Sequence, residues 1–151
     1  MKKLIISILI SLGVGGLSFL ITSGSMDVYM YLDKPMFAPP SILFPIVWTI
    51  LYILMGISSY IIYESNNDNK VDALRVYGLQ LVINFVWPIL FFLLSYRLLS
   101  LIWIILLVIV VVIMIIKFYK INKTSAYLQI PYLIWTLFAT YLNFGFYLLN
   151  R

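Results

Sequence analysis

The charged positions of this chain are spaced so that five long apolar runs lie between them. Lys3 to Asp27, Lys34 to Glu64, Arg75 to Arg97, Arg97 to Lys117 and Lys123 to Arg151 each enclose a stretch without a charge. Each is long enough for the roughly 20 apolar residues that a helix needs to cross the hydrocarbon of a bilayer. The pattern predicts an all-α membrane protein: one domain, a bundle of five transmembrane helices over about 4–22, 42–63, 74–94, 98–116 and 127–149, with a long Pro-rich first loop. The apolar/polar alternation of a membrane β-barrel is absent, since Leu98–Ile116 is apolar on every face.

The segments between the runs are short. Glu64–Asp72 is a polar turn of mixed charge, read as a solvated loop, and Ser95–Leu99 has room only for a tight helix–helix turn. Ile121–Ala126 is expected as the last turn. Thr22–Ser41 is the longest connection, and Tyr29, Tyr31, Met36 and Phe37 make it apolar enough to fold back on the bundle. Within it, four of the six prolines fall between Pro35 and Pro45. Proline fixes φ and donates no backbone hydrogen bond, so Lys34–Pro40 is expected as neither ordinary helix nor sheet. A stiff aromatic loop feeding straight into the helix that carries Trp48 and Tyr52 reads as a lid over a pocket.

Composition agrees with the membrane reading. Hydrophobic residues make up 64% of the 151 and charged residues 10%, against about 25% charged in a soluble domain. The first run follows Lys2 and Lys3 as a signal peptide would, but no strong small-residue cleavage site precedes Asp27, Thr22–Ser25 being the one stretch that leaves the option open. Its apolar stretch exceeds the usual signal core, and it is read as retained helix 1. Of the ten Lys and Arg, seven (Lys2, Lys3, Lys70, Arg75, Lys117, Lys120, Lys123) fall on the N-terminal side of the helices and three (Lys34, Arg97, Arg151) on the other. The positive-inside rule then predicts a multi-pass cell-membrane protein with a cytoplasmic N-terminus and an external first loop and C-terminus. That bias accounts for the net charge of +5 without a nucleic-acid partner. The chain has no cysteine and no histidine, which removes disulfides, thiolate chemistry and the usual zinc and haem ligands. No metal and no cofactor is expected.

Candidate chemistry lies on the helix faces. Helix 1 carries Ser7, Ser11, Gly15, Ser18 and Thr22 in one stripe of small residues, expected to serve close packing. Helix 3 sets Gln80, Asn84, Trp87 and Phe91 on one face beside Pro88, helix 5 sets Tyr132, Trp135, Ala139, Asn143 and Phe146 on one face, and helix 2 contributes Pro45, Trp48 and Tyr52. Uncharged amides inside a bilayer are costly unless they meet a partner or a cavity. Two readings are open: Asn84 and Asn143 act as glue between helices with the tryptophans as interfacial anchors, or the three faces converge on a pocket. Trp48 and Trp135 lie deeper than a belt residue, whereas Trp103 fits the belt. Helix 4, nearly all Ile, Leu and Val, is expected to be substantially lipid-exposed. An aromatic, uncharged pocket suits a flat hydrophobic ligand. No Asp, Glu, Lys, Arg or His lies in the middle of a helix, which disfavours ion-coupled pumping and conventional acid–base or nucleophilic catalysis.

Lys34-Pro35, Pro39-Pro40, Phe44 to Trp48 with Tyr52, Gln80 to Asn84 to Trp87 followed by Phe91-Phe92, and Ile130-Pro131-Tyr132 with Trp135, Ala139 and Leu142-Asn143 resemble the signature of the TspO/MBR family. These are the tryptophan-rich sensory proteins, which include the mitochondrial translocator protein. The resemblance covers nearly the whole chain, and its flavour is that of a bacterial member. It implies a five-helix bundle, often a homodimer, with a pocket closed by the first loop. It further implies porphyrins such as protoporphyrin IX and isoquinoline carboxamide or benzodiazepine drugs as ligands and, for some bacterial members, light-dependent porphyrin degradation. Carried over by motif, the reactive tryptophans are Trp48 and Trp135. The ligand-binding residues are Tyr29, Phe37, Pro39, Trp48, Asn84, Trp87, Phe91, Trp135, Ala139 and Asn143. Leu142, Tyr147 and Arg151 satisfy the loose spacing of a sterol-recognition pattern, for which interfacial anchoring is the simpler account. Export of lipophiles and ligand-responsive sensing are the alternative functions.

Overall fold

In the computed structural model, which describes residues 1–25 and 27–151, five helical segments are long and apolar enough to cross a bilayer. They are built from α1 (Lys2–Thr22), which ends in a 3-10 turn at Ser23–Ser25; α3 (Leu43–Tyr63); α4 (Lys70–Pro88), continued by a π-helical turn at Ile89–Leu93; α5 (Arg97–Ile121); and the pair α6 (Lys123–Leu128) and α7 (Ile130–Leu149). A single turn, α2 (Val28–Tyr31), interrupts the first loop. The described residues contain no strand.

Three boundaries differ from the sequence expectation, each for a local reason. The third span begins at Lys70 and not Leu74, with Asp72 in its first turn, where a carboxylate meets the positive end of the helix dipole. It also changes character at Pro88. The missing N–H takes one bond from the ladder, and the helix widens, so that Leu94 N–H reaches the carbonyl of Ile89. The fourth span runs on past Ile116 to Ile121, with Lys120 in its last turn. The expected turn at Ile121–Ala126 is instead nearly all helix. Asn122 alone breaks it, and its side-chain Oδ1 accepts from Ser125 N–H to cap α6.

Small residues let α1 lie close to its neighbours. A Cβ on Gly56 of α3 would meet the Ile8 backbone, with Cα at 2.5 Å and N at 2.9 Å, so only glycine allows that crossing. Along the same stripe the hydroxyls donate across to other helices: Ser7 to Gly56 O (2.7 Å), Ser11 to Tyr52 O (2.6 Å) and Ser18 to Phe85 O (3.1 Å). On the far side of α3, Ser58 and Ser125 exchange hydroxyl-to-carbonyl bonds of 2.7 and 2.9 Å, fastening α6. In α5 a stripe of Leu101, Ile104, Leu107, Val111, Met114 and Phe118 is buried at helical spacing, while Ile102, Ile105, Ile109 and Ile113 stay exposed. This helix is therefore lipid-facing on one side only. Trp103 is not a free belt residue: its indole donates to Ile83 O of α4 at 2.8 Å. The basic residues at the N-terminal end are tied across the bundle, with Lys3 3.6 Å from Glu64 and Lys117 2.6 Å from Asp72.

Candidate functional site

A cavity of about 390 Å³ opens between α1, α3, α4 and α7 at the end of the bundle that carries the Pro-rich loop. Its wall is aromatic because each helix presents rings a whole number of turns apart, one turn on α3 and three on α7. Phe44, Trp48 and Tyr52 come from α3, Trp87 from α4, Phe91 from the π-helical turn, and Trp135 and Phe146 from α7. Trp48 and Trp135 meet edge to face at 6.4 Å and 90°. From Trp135 the rings continue through Phe44 (5.8 Å), Tyr29 (5.2 Å) and Phe146 (5.5 Å) to Phe91 (5.6 Å), on which Trp87 stacks at 5.4 Å and 25°. Edge-to-face pairs at such separations are favourable beyond their buried area. The result is one continuous arc of seven rings.

The roof is fastened by polar contacts. Tyr29, 3% exposed, donates its hydroxyl to Pro39 O. Burial raises its pKa above the ordinary tyrosine value. Asn150 pairs with the backbone of Asp33 as a strand would, accepting from its N–H at 3.0 Å and donating to its carbonyl at 2.9 Å. The Tyr141 hydroxyl donates to Met36 O at 2.6 Å. Pro35 packs onto Gly145 of α7 so closely that a Cβ there would lie 2.5 Å from the proline ring.

Of the residues singled out from sequence, Tyr29, Trp48, Asn84, Trp87, Phe91, Trp135, Ala139 and Asn143 all line this cavity. Phe37 and Pro39 do not. Phe37 sits at the loop tip at φ 69°, 79% exposed and pointing away, while Pro39 contributes only the carbonyl that Tyr29 holds. Leu142 lines the cavity, whereas Tyr147 packs half-buried against the core and Arg151 is exposed at the chain end. At about 100° per residue, Tyr147 lies roughly 140° around α7 from Leu142, so the three do not share a face.

The amides resolve differently from the rings. Asn84 donates to the Tyr132 hydroxyl (3.0 Å), which donates in turn to Gln80 Oε1 (2.6 Å). Asn143 accepts from the Trp87 indole (2.9 Å) and donates to Arg97 O (3.0 Å). Both asparagines thus border the cavity while their donors bind other helices. Of the buried polar side-chain atoms of cavity-lining residues, the indole N–H of Trp135 is left without a partner among the described residues. Sequence reasoning also assigned the small stripe of helix 1 to packing alone, yet Gly15, Gly16, Ser18 and Thr22 form one wall of the cavity. A Cβ on Gly15 would run into the Tyr52 ring. The signal was there in the pair of adjacent glycines, but only the position of Tyr52 makes it legible.

The fold and site define a multi-pass membrane protein with a ligand-sized, aromatic, uncharged pocket under a fastened loop. The TspO/MBR family model matches residues 6–148. The chain is similar to the tryptophan-rich protein TspO of Archaeoglobus fulgidus, at 44% identity over 98% of this chain and 97% of that protein. It is 36% identical to the protein of the same name from Chlorobaculum tepidum, over 97% of this chain and 94% of the relative. It is also 31% identical to the human translocator protein, over 77% and 70% of the two chains. The protein belongs to the TspO/MBR family, and that membership together with the pocket supports a membrane ligand-binding or sensing role.

Proposed function

We propose that the protein binds porphyrins, protoporphyrin IX among them, and similar flat hydrophobic ligands such as isoquinoline carboxamides, in the aromatic cavity. The observation that carries this reading is the arc of seven rings around an uncharged space. A planar conjugated ligand replaces ring-to-ring contacts with its own faces, and the volume lies within the range of small-ligand sites, about 300–1,000 Å³. The free Trp135 N–H offers one orienting donor. Two cations stand at the same end. Lys34 Nζ lies 5.1 Å over the Tyr29 ring, and Arg97, whose carbonyl holds Asn143, has a buried Nε without a partner among the described residues. They suit the carboxylates that a porphyrin carries on one edge.

Light-dependent degradation of the bound porphyrin is the finer part of the proposal. The excited ring passes its energy to dioxygen, and both oxygen atoms then add across one carbon–carbon double bond and cleave it to two carbonyls, with no external reductant. Trp48 and Trp135 hold the ring and direct the oxidant to it. The charge bias supports a cytoplasmic N-terminus, which makes the lidded cavity external, and a homodimer completes the assembly we propose. Titration with protoporphyrin IX, followed by tryptophan fluorescence and porphyrin absorbance in the dark and then under illumination, tests the reading. Binding predicts saturable quenching in the dark. Degradation predicts loss of the porphyrin band under light that disappears in Trp48→Phe/Trp135→Phe. An absence of quenching would overturn the first claim, and unchanged loss in the double variant the second. Export, the alternative, predicts flux across proteoliposomes in the dark.

A further inference from the structure

A second cavity, of about 370 Å³, opens at the other end of the bundle between α1, α3 and α4. It is separate from the aromatic one: the Gly56–Ile8 crossing and the Ser11–Tyr52 bond lie between them. Its walls are apolar at Ile6, Ile10 and Leu74, and Ser7, Ser59 and Tyr77 line it as well. Ser7 and Ser59 satisfy each other at 2.8 Å. Tyr77 is 7% exposed, and its hydroxyl, which stands near those of Ser59 and Ser11, makes no hydrogen bond within 3.5 Å among the described residues. A buried unpaired donor is costly, and it sits on a residue lining an open space.

The rim is basic. Lys3 Nζ and Lys70 Nζ lie 5.7 and 5.4 Å from the centroid of the Tyr63 ring. The Glu64 carboxylate, 3.6 Å from Lys3, offsets one of the two. Lys70 donates to the carbonyls of Tyr63 and Ser65 and has no carboxylate partner among the described residues. By helical rise Ile10 lies about 10 Å below Lys3, which sets the lysines at headgroup level and the isoleucine in hydrocarbon.

We infer that this cavity holds one anionic phospholipid from the leaflet at the N-terminal face. Its phosphate lies at Lys3 and Lys70, one acyl chain runs along Ile6, Ile10 and Leu74, and an ester carbonyl accepts the Tyr77 hydroxyl. Basic residues at a membrane surface favour anionic headgroups, and the apolar slot below them distinguishes a seated lipid from diffuse attraction.

Native mass spectrometry of the full-length protein in detergent, titrated with phosphatidylglycerol or with phosphatidylcholine of the same chains, tests this. One retained phosphatidylglycerol per chain, held more tightly than phosphatidylcholine, is expected. Tyr77→Phe should weaken retention roughly three- to tenfold, as loss of one hydrogen bond does. Lys3→Gln/Lys70→Gln should erase the preference between headgroups, and Ile10→Trp should fill the slot and abolish retention. Thermal melting and the protoporphyrin titration on each variant separate a lost site from a lost fold, and Tyr77→Phe keeps the ring if the bulkier change unfolds the bundle. Equal retention of the two lipids, or retention unchanged in Tyr77→Phe and Ile10→Trp, would overturn the assignment. So would displacement by palmitate or by inorganic phosphate as effective as displacement by lipid.

Discussion

Replacing Tyr132 by Phe removes one oxygen and asks whether the buried amides of α4 serve the bundle or the ligand. The hydroxyl accepts from Asn84 and donates to Gln80, and those residues are 1% and 0% exposed. Gln80 cannot turn to water when the hydroxyl goes, and Asn84 has only the cavity it borders. In water-soluble proteins each stranded group costs about 1–3 kcal/mol. In a bilayer the unfolded helices also find partners, and measured interhelical bonds average about 0.6 kcal/mol with a maximum near 1.7. Two bonds therefore place the loss at about 1–3 kcal/mol. The ring itself stays, still 6.2 Å from Trp48 and edge-on to it, so no cavity term is added. Unfolding in mixed micelles by increasing SDS, followed by far-UV circular dichroism, reads this loss. The triple change Gln80→Leu/Asn84→Leu/Tyr132→Phe should recover most of it, because removing every partner leaves nothing unpaired. Porphyrin affinity of Tyr132→Phe should stay within about twofold of the parent, since the hydroxyl points to Gln80 and not into the cavity. A stability within about 0.3 kcal/mol of the parent would refute the network argument. A tenfold loss of affinity at unchanged stability would transfer the hydroxyl to the ligand site.

Three further outcomes follow from the same contacts. Gly145→Ala drives a methyl into Pro35 and should loosen the roof, raising the ligand dissociation rate in stopped-flow quenching while costing about 1–3 kcal/mol of stability or less. Tyr29→Phe removes the bond to Pro39 and should speed dissociation roughly two- to tenfold. With the Tyr29 pKa raised by burial, the parent should hold its ligand through the pH at which ordinary tyrosines ionise and release it faster only above that, a step that Tyr29→Phe lacks. Gly56→Ala strikes the Ile8 backbone, which cannot give way as a side chain would. It should therefore destabilise more than Gly13→Ala, where an added methyl meets open space, by about 1–3 kcal/mol in the same SDS titration.

The spans were legible because the bilayer imposes one rule on every residue in them: charges stay out and backbone groups pair within the helix. Spacing also put Trp87 beside Phe91 and Trp135 beside Ala139 on their own faces, since helical period depends on nothing beyond the helix. Boundaries moved where a single residue acts locally, as Asn122 does in capping α6 and Pro88 in widening α4. What periodicity does not carry is which groups on converging faces find each other first. From sequence Asn84 and Asn143 could be glue between helices or pocket donors; Tyr132 and the Arg97 carbonyl take their N–H groups, and the buried Trp135 N–H is left without a partner among the described residues. The resemblance carried Phe37 over as a ligand-binding residue, but at φ 69° on the loop tip it is 79% exposed and does not line the cavity. The sequence by itself determined the number of membrane spans, their apolar character and the ring-bearing faces, because each follows from local order along one chain. Only the tertiary structure decided that seven rings close into one arc, that α1 supplies a wall, and that Asn150 and Gly145 hold the roof. Those are contacts between residues far apart in the chain, set by distances that no one-dimensional pattern encodes.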